Sequence, residues 1–111
     1  MPFIHTRTNR PISQEEEKSM AKQYGQAVTV LGKSESWLMV NIQPKCSLYF
    51  RGSNEEPIAF VSVTVYGKPN PTAYDALTAR FNTILSRIAG IEQMYVSYSE
   101  TSNFGYNGSN F

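Results

Sequence analysis

The sequence predicts an α+β domain in which two similar β-α-β halves build one four-stranded sheet with both helices on one face. Three observations carry this. Met20, Tyr24, Ala27, Val28 and Leu31 fall at i, i+4, i+7, i+8 and i+11, and Leu77, Phe81, Ile84, Leu85 and Ile88 repeat the same helical stripe. Each stripe lies between two strand-like stretches. The punctuation recurs as well: Pro11 and Pro69 are 58 residues apart, as are Gly32 and Gly90, while the stripes are offset by 57. Side-chain identity between the halves is slight, so the repeat is one of elements.

Phe3 to Thr8 sets Phe3, His5 and Arg7 against Ile4, Thr6 and Thr8, a strand with two different faces. Ser13 and Glu16 form an S-x-x-E capping box, Glu15 to Glu17 put negative charge on the first helical turn, and Gly32 is the stop. Leu38 to Gln43 is the second strand and Ile58 to Tyr66 the third. A turn at "GKPNP", a helix from about Thr72 to the stop at Gly90, and a strand from Met94 to Ser99 complete the second half. In the tail, Asn107-Gly108 marks a tight hairpin among Phe104, Tyr106 and Phe111.

Strand-helix-strand units of this length favour parallel pairing with a right-handed crossover, which puts both helices on one face. Phe60, Ser62, Thr64 and Tyr66 alternate with Val61, Val63 and Val65, leaving apolar or aromatic side chains on both faces, so the uncovered face cannot be fully polar. An open sheet of this kind predicts a homo-oligomer.

The 111 residues fit one domain, residues 1–111. Ten Lys and Arg against nine Asp and Glu are scattered, with no basic stripe for nucleic acid. Apolar runs such as Ile58 to Val61 are too short to cross a bilayer, and nothing after Met1 reads as a signal peptide. A cytoplasmic product is expected, with release by a route that needs no signal peptide left open. On the same ground the sequon Asn107-Gly108-Ser109 is discounted.

Cys46 is the only cysteine and reads as a plain thiol; His5 is the only histidine and reads as a strand residue facing solvent or a subunit contact. Disulfides, Cys-rich zinc sites and a Ser-His-Asp relay therefore lack material, and no metal or cofactor is expected.

Met1 precedes Pro2, a residue small enough for methionine aminopeptidase to act, so the mature chain would begin with a secondary amine. An α-amino group ordinarily titrates near pH 8, and burial beside cations disfavours its charged form, which would make Pro2 a neutral base. Taken singly, the other candidates have ordinary readings. Lys33 just past a helix suits the macrodipole, Arg51 is a surface charge, and Tyr95 and Ser97 share one face of a strand.

In combination, these pieces resemble the macrophage migration inhibitory factor family of the tautomerase superfamily over essentially the whole chain. The resemblance rests on the Met-Pro start with Thr8-Asn9, "LGKSESWLMV" at 31 to 40, "FRGSNEEPIAFV" at 50 to 61, "YGK" at 66 to 68, "MYVSY" at 94 to 98, and the ending "FGYNGSNF". It implies a homotrimer whose sheets face a central channel, with active sites between neighbouring subunits. It implies Pro2 as the catalytic base, Lys33 on the substrate carboxylate and the backbone N–H of Tyr66 as a nearby donor. Tyr95 would enter from the adjacent subunit with Ser97 beside it, Trp37, Tyr106 and Phe111 would be aromatic walls, and Phe104 would stand at the mouth.

The activity so implied is keto-enol tautomerisation of phenylpyruvate-like aromatic α-keto acids. The alternative is a cytokine-like signalling or host-modulating protein that binds a receptor and keeps only vestigial tautomerase activity. Hydration or dehalogenation of a small unsaturated acid would need charged groups near Pro2, with Arg7, Arg51 and Glu100 as the candidates.

The sequence departs from the family pattern in four places. Ser97 stands where many animal members carry Asn, and its hydroxyl reaches less far. Tyr66 is bulkier than the usual aliphatic residue and is expected to narrow the pocket. "GSNEEP" has one extra residue. The Cys-x-x-Cys motif is absent, with Ile58 and Val61 in that region, so thiol oxidoreductase activity is not expected.

Overall fold

Two central strands, β1 (Pro2–Thr8) and β3 (Ile58–Tyr66), run antiparallel at the middle of the sheet in the computed structural model, which describes residues 1–111. Each has a parallel outer neighbour: β2 (Met39–Gln43) beside β1, and β4 (Gln93–Thr101) beside β3, for the order β2-β1-β3-β4. Helix α1 (Gln14–Ala27) connects the first parallel pair and α2 (Pro71–Ala89) the second. The expected pair of β-α-β halves is thus present, joined through antiparallel pairing of β1 and β3.

Both helices start where the sequence signals them. Ser13 accepts from the Glu16 N–H and the Glu16 carboxylate accepts from the Ser13 N–H at 2.8 Å, which closes the capping box and holds that carboxyl below its usual range. The Asn70 side chain caps α2 by accepting from the Thr72 N–H at 2.9 Å, with Pro71 in the first turn. Gly90 ends α2 in the left-handed region at φ 63°, returning its N–H to the Ser86 carbonyl.

The first helix stops earlier than its apolar stripe. Val28–Leu31 forms a 3-10 turn, the Thr29 hydroxyl donates to the Gln26 carbonyl oxygen at 2.7 Å, and Gly32 follows at φ 71°. A run of β-branched Val28, Thr29 and Val30 crowds the preceding turn and favours this tightening. A second 3-10 turn, Glu35–Trp37, delays β2 to Met39, and β4 runs on to Thr101, opposite Tyr66.

The core lies between the helices and the face of the sheet bearing Ile4, Val61, Val63 and Val65. Tyr24 and Phe81, one from each helix, meet edge to face at 5.1 Å. The core face of β1 also carries Thr6 and Thr8, and each is satisfied: Thr6 Oγ1 pairs with the Tyr24 hydroxyl at 2.7 Å, and Thr8 Oγ1 donates to the Ile58 carbonyl oxygen at 2.7 Å. Burial raises the Tyr24 pKa far above its ordinary value, with the Thr6 hydrogen bond opposing in part.

The opposite face is open, and the register sets its side chains in rows across the strands. Met39, Phe3, Thr64 and Ser99 make one row, Asn41, His5, Ser62 and Ser97 the next, and Gln43, Arg7, Phe60 and Tyr95 the third. His5 Nε2 hydrogen-bonds Gln43 Oε1 at 2.7 Å on this face. No helix is long and apolar enough to cross a membrane.

Candidate active site

A cavity of about 680 Å³ opens where the start of β1 meets the 3-10 turn at Trp37 and the chain end. Its apolar lining includes Met1, Pro2, Phe3, Trp37, Phe104 and Tyr106. Pro2 is buried as the first residue of β1, a position where a missing N–H costs the ladder nothing.

The C-terminal wall is a small hairpin of β5 (Gly105–Tyr106) and β6 (Ser109–Asn110). Asn107 at φ 45° and Gly108 at φ 98° make the turn, as the Asn-Gly pair predicts. The Phe111 N–H donates to the Phe104 carbonyl oxygen at 3.0 Å and closes the hairpin. Trp37 meets Tyr106 edge to face at 4.9 Å and Phe111 at 6.5 Å.

Lys33, Tyr66 and Phe111 do not line the cavity. They join it through Met1 and Trp37. Lys33 Nζ donates to the Tyr66 carbonyl oxygen at 2.8 Å, the Tyr66 N–H donates to the Met1 carbonyl oxygen at 3.2 Å, and the Tyr66 ring meets Phe111 at 5.5 Å. The expectation that Tyr66 narrows the pocket is therefore corrected: at the end of β3 its ring turns to Phe111. The Met1 amine is held below its ordinary pKa, first by burial and then by the positive charge of Lys33.

Tyr95 and Ser97 lie on the open face of β4 and do not reach this cavity from their own chain. Tyr95 is 63% exposed and meets Phe50 at 5.9 Å and Phe60 at 6.4 Å. The three charged candidates are also elsewhere: Arg7 stacks over Phe60, Arg51 over Phe50, and Glu100 accepts from the Tyr74 hydroxyl at 2.7 Å. That carboxylate and burial push Tyr74 up to about 12, burial being the larger cause.

Phe3, Met39 and Thr64 also line the cavity, and sequence reasoning did not single them out. Alternation decides only which residues of one strand share a face; the pairing of Phe3 with both Met39 and Thr64 brings the three into one row.

An antiparallel central pair, a parallel strand on each side, two helices on one face and a proline at the start of β1 define the architecture of the tautomerase superfamily. The family model for macrophage migration inhibitory factor matches residues 1–111, and the chain belongs to that family. Among solved structures, Leishmania major MIF2 superposes with a TM-score of 0.94 at 31% identity, over 100% of this chain and 97% of that one. The macrophage migration inhibitory factor of Toxoplasma gondii gives 0.90 at 20% identity, covering 98% and 99%. The macrophage migration inhibitory factor-like protein of Entamoeba histolytica gives 0.89 at 23%, covering 99% and 98%. A search of curated proteins finds no match to the sequence.

Proposed function

We propose that the protein is a keto-enol tautomerase for phenylpyruvate-like aromatic α-keto acids, with Pro2 as the base once Met1 is removed. The observation that carries this reading is the position of Met1. It lines the aromatic cavity, its carbonyl oxygen occupies the Tyr66 N–H, and its amine sits under the influence of Lys33. While Met1 is attached, the Pro2 nitrogen is an amide and has no basicity. Its removal creates a secondary amine at a buried position and frees the Tyr66 N–H.

In the proposed reaction, Lys33 receives the substrate carboxylate, and Phe104, Trp37 and Tyr106 take the aromatic ring. The neutral Pro2 nitrogen removes a proton from the carbon beside the ketone. The C–H electron pair forms the C=C bond, and the carbonyl π pair moves to oxygen. The Tyr66 N–H is a candidate donor to that oxygen, and the proton carried by Pro2 is returned there, giving the enol with no net change in atoms. General acid-base transfer of this kind contributes about 10²- to 10⁴-fold in rate.

Tyr95 and Ser97 belong to this reading as contributions from a neighbouring copy in a homotrimer. The exposed Tyr95 and the uncovered sheet face support that assembly. Sedimentation equilibrium is expected to give three times the 12.5 kDa chain mass.

The test of the enzyme reading is phenylpyruvate tautomerisation by protein whose intact mass shows Met1 removed, run beside Pro2→Gly. A rate at least about 100-fold above the variant is expected. Equal rates in the two preparations would sink the reading.

A further inference from the structure

We propose that Tyr66 is a positioning residue whose ring pins the C-terminal hairpin through Phe111, and thereby sets how well the cavity holds an aromatic rather than an aliphatic keto acid. The inference rests on the tautomerase reading only in its kinetic consequence.

The hairpin cannot hold itself in place. β5 and β6 have two residues each, all of them exposed, and so short a ribbon is marginal in water without tertiary anchoring. Its anchor is a chain of rings: Tyr66 against Phe111 at 5.5 Å, Phe111 against Trp37 at 6.5 Å, and Trp37 against Tyr106 at 4.9 Å, all three near-perpendicular. Such edge-to-face contacts are favourable and directional.

Of these rings only Tyr66 is set in the main sheet. Its backbone is tied by pairing with Thr101 and by Lys33 at its carbonyl, two contacts that do not depend on Met1. Trp37 lies in a short 3-10 turn and is 48% exposed, and Phe111 is 50% exposed and outside any strand. Position is therefore passed outward from Tyr66 to Phe111. From Phe111 it reaches Phe104 through the 3.0 Å backbone bond and Tyr106 through Trp37. Phe104 and Tyr106 are cavity wall, whereas Tyr66 is not. An aliphatic side chain at position 66 leaves the same backbone bonds and removes the edge-to-face contact.

The test uses Tyr66→Leu, Phe111→Ala and the double variant, each with Met1 removed. Trp37 is the only tryptophan, so its quenching by acrylamide reports whether the hairpin is docked. Quenching is expected to rise in both single variants, and the double variant should be no worse than Phe111→Ala, because both act through one contact. The ratio of kcat/KM for phenylpyruvate over that for an aliphatic α-keto acid should fall about three- to tenfold in Tyr66→Leu, mainly through KM. Phe111→Ala changes a half-exposed terminal residue and gives the same readouts should Tyr66→Leu fail to fold.

An active wild type whose variants keep its selectivity overturns the proposal. Loss of selectivity with more accessible Trp37 supports it. A wild type with no keto acid turnover removes the enzyme reading instead, and quenching then decides the clasp: higher quenching in the variants retains it, and wild-type quenching overturns it.

Discussion

The Lys33 ammonium donates to the Tyr66 carbonyl oxygen at 2.8 Å, tying the residue just past the first helical segment to the last residue of β3. This bond holds a half-buried cation beside the N-terminal residue, where, after burial, its charge lowers the pKa of the Met1 amine; in the proposed reaction it receives the substrate carboxylate.

Replacing Lys33 with Gln should therefore weaken binding of a keto acid more than it slows turnover. A charge-assisted hydrogen bond contributes about 1.5–3 kcal/mol, so KM for phenylpyruvate is expected to rise roughly 10- to 100-fold. Steady-state kinetics at fixed pH check this, and a KM within twofold of wild type counts against carboxylate binding by Lys33.

The pH dependence follows from the lowered amine. Burial and Lys33 both disfavour charge on the Met1 amine, and Pro2 next to it is buried, so a free Pro2 amine in the same surroundings is expected to titrate below the ordinary α-amino value of about 8. In the proposed reaction the neutral Pro2 amine is the base. Thus kcat/KM should fall as pH drops through that lowered pKa and level off above it. In Lys33→Gln one of the two causes is gone, so the acid limb should move to higher pH. A pH profile of kcat/KM for both proteins tests the direction.

Tyr24→Phe removes the partner of Thr6, whose side chain is fully buried. Leaving that hydroxyl unpaired costs about 1–3 kcal/mol, read as a lower urea midpoint. Adding Thr6→Val removes the orphan hydroxyl and should recover part of the loss. A double variant as unstable as the sum of two damaging changes would assign the effect to packing.

Ser13→Ala opens the capping box at the start of α1 and should cost about 1 kcal/mol. Its signature is a lower urea midpoint with an unchanged m-value, because the sheet and core surfaces stay the same.

The elements, the cap at Ser13, the stop at Gly90 and the inward faces of both helices were readable because they depend on neighbours three or four residues away, whereas α1 gives way to a 3-10 turn before Gly32. The parity of β1, β3 and β4 was readable for the same reason, since alternation is a property of one strand. Pro2, Trp37, Phe104 and Tyr106 were picked out as site residues from their place in family-like motifs, and they do line the cavity.

The row that joins Phe3 to Met39 and Thr64 and the turn of the Tyr66 ring toward Phe111 needed the tertiary structure. Each depends on strand order, register or competition for a shared space, which bring together groups tens of residues apart. Local periodicity by itself determined what each segment is and which way it faces. Packing decided that Met1 stands among Pro2, Lys33 and Tyr66, because that meeting requires β1, β3 and the turn after α1 to reach one end of the sheet.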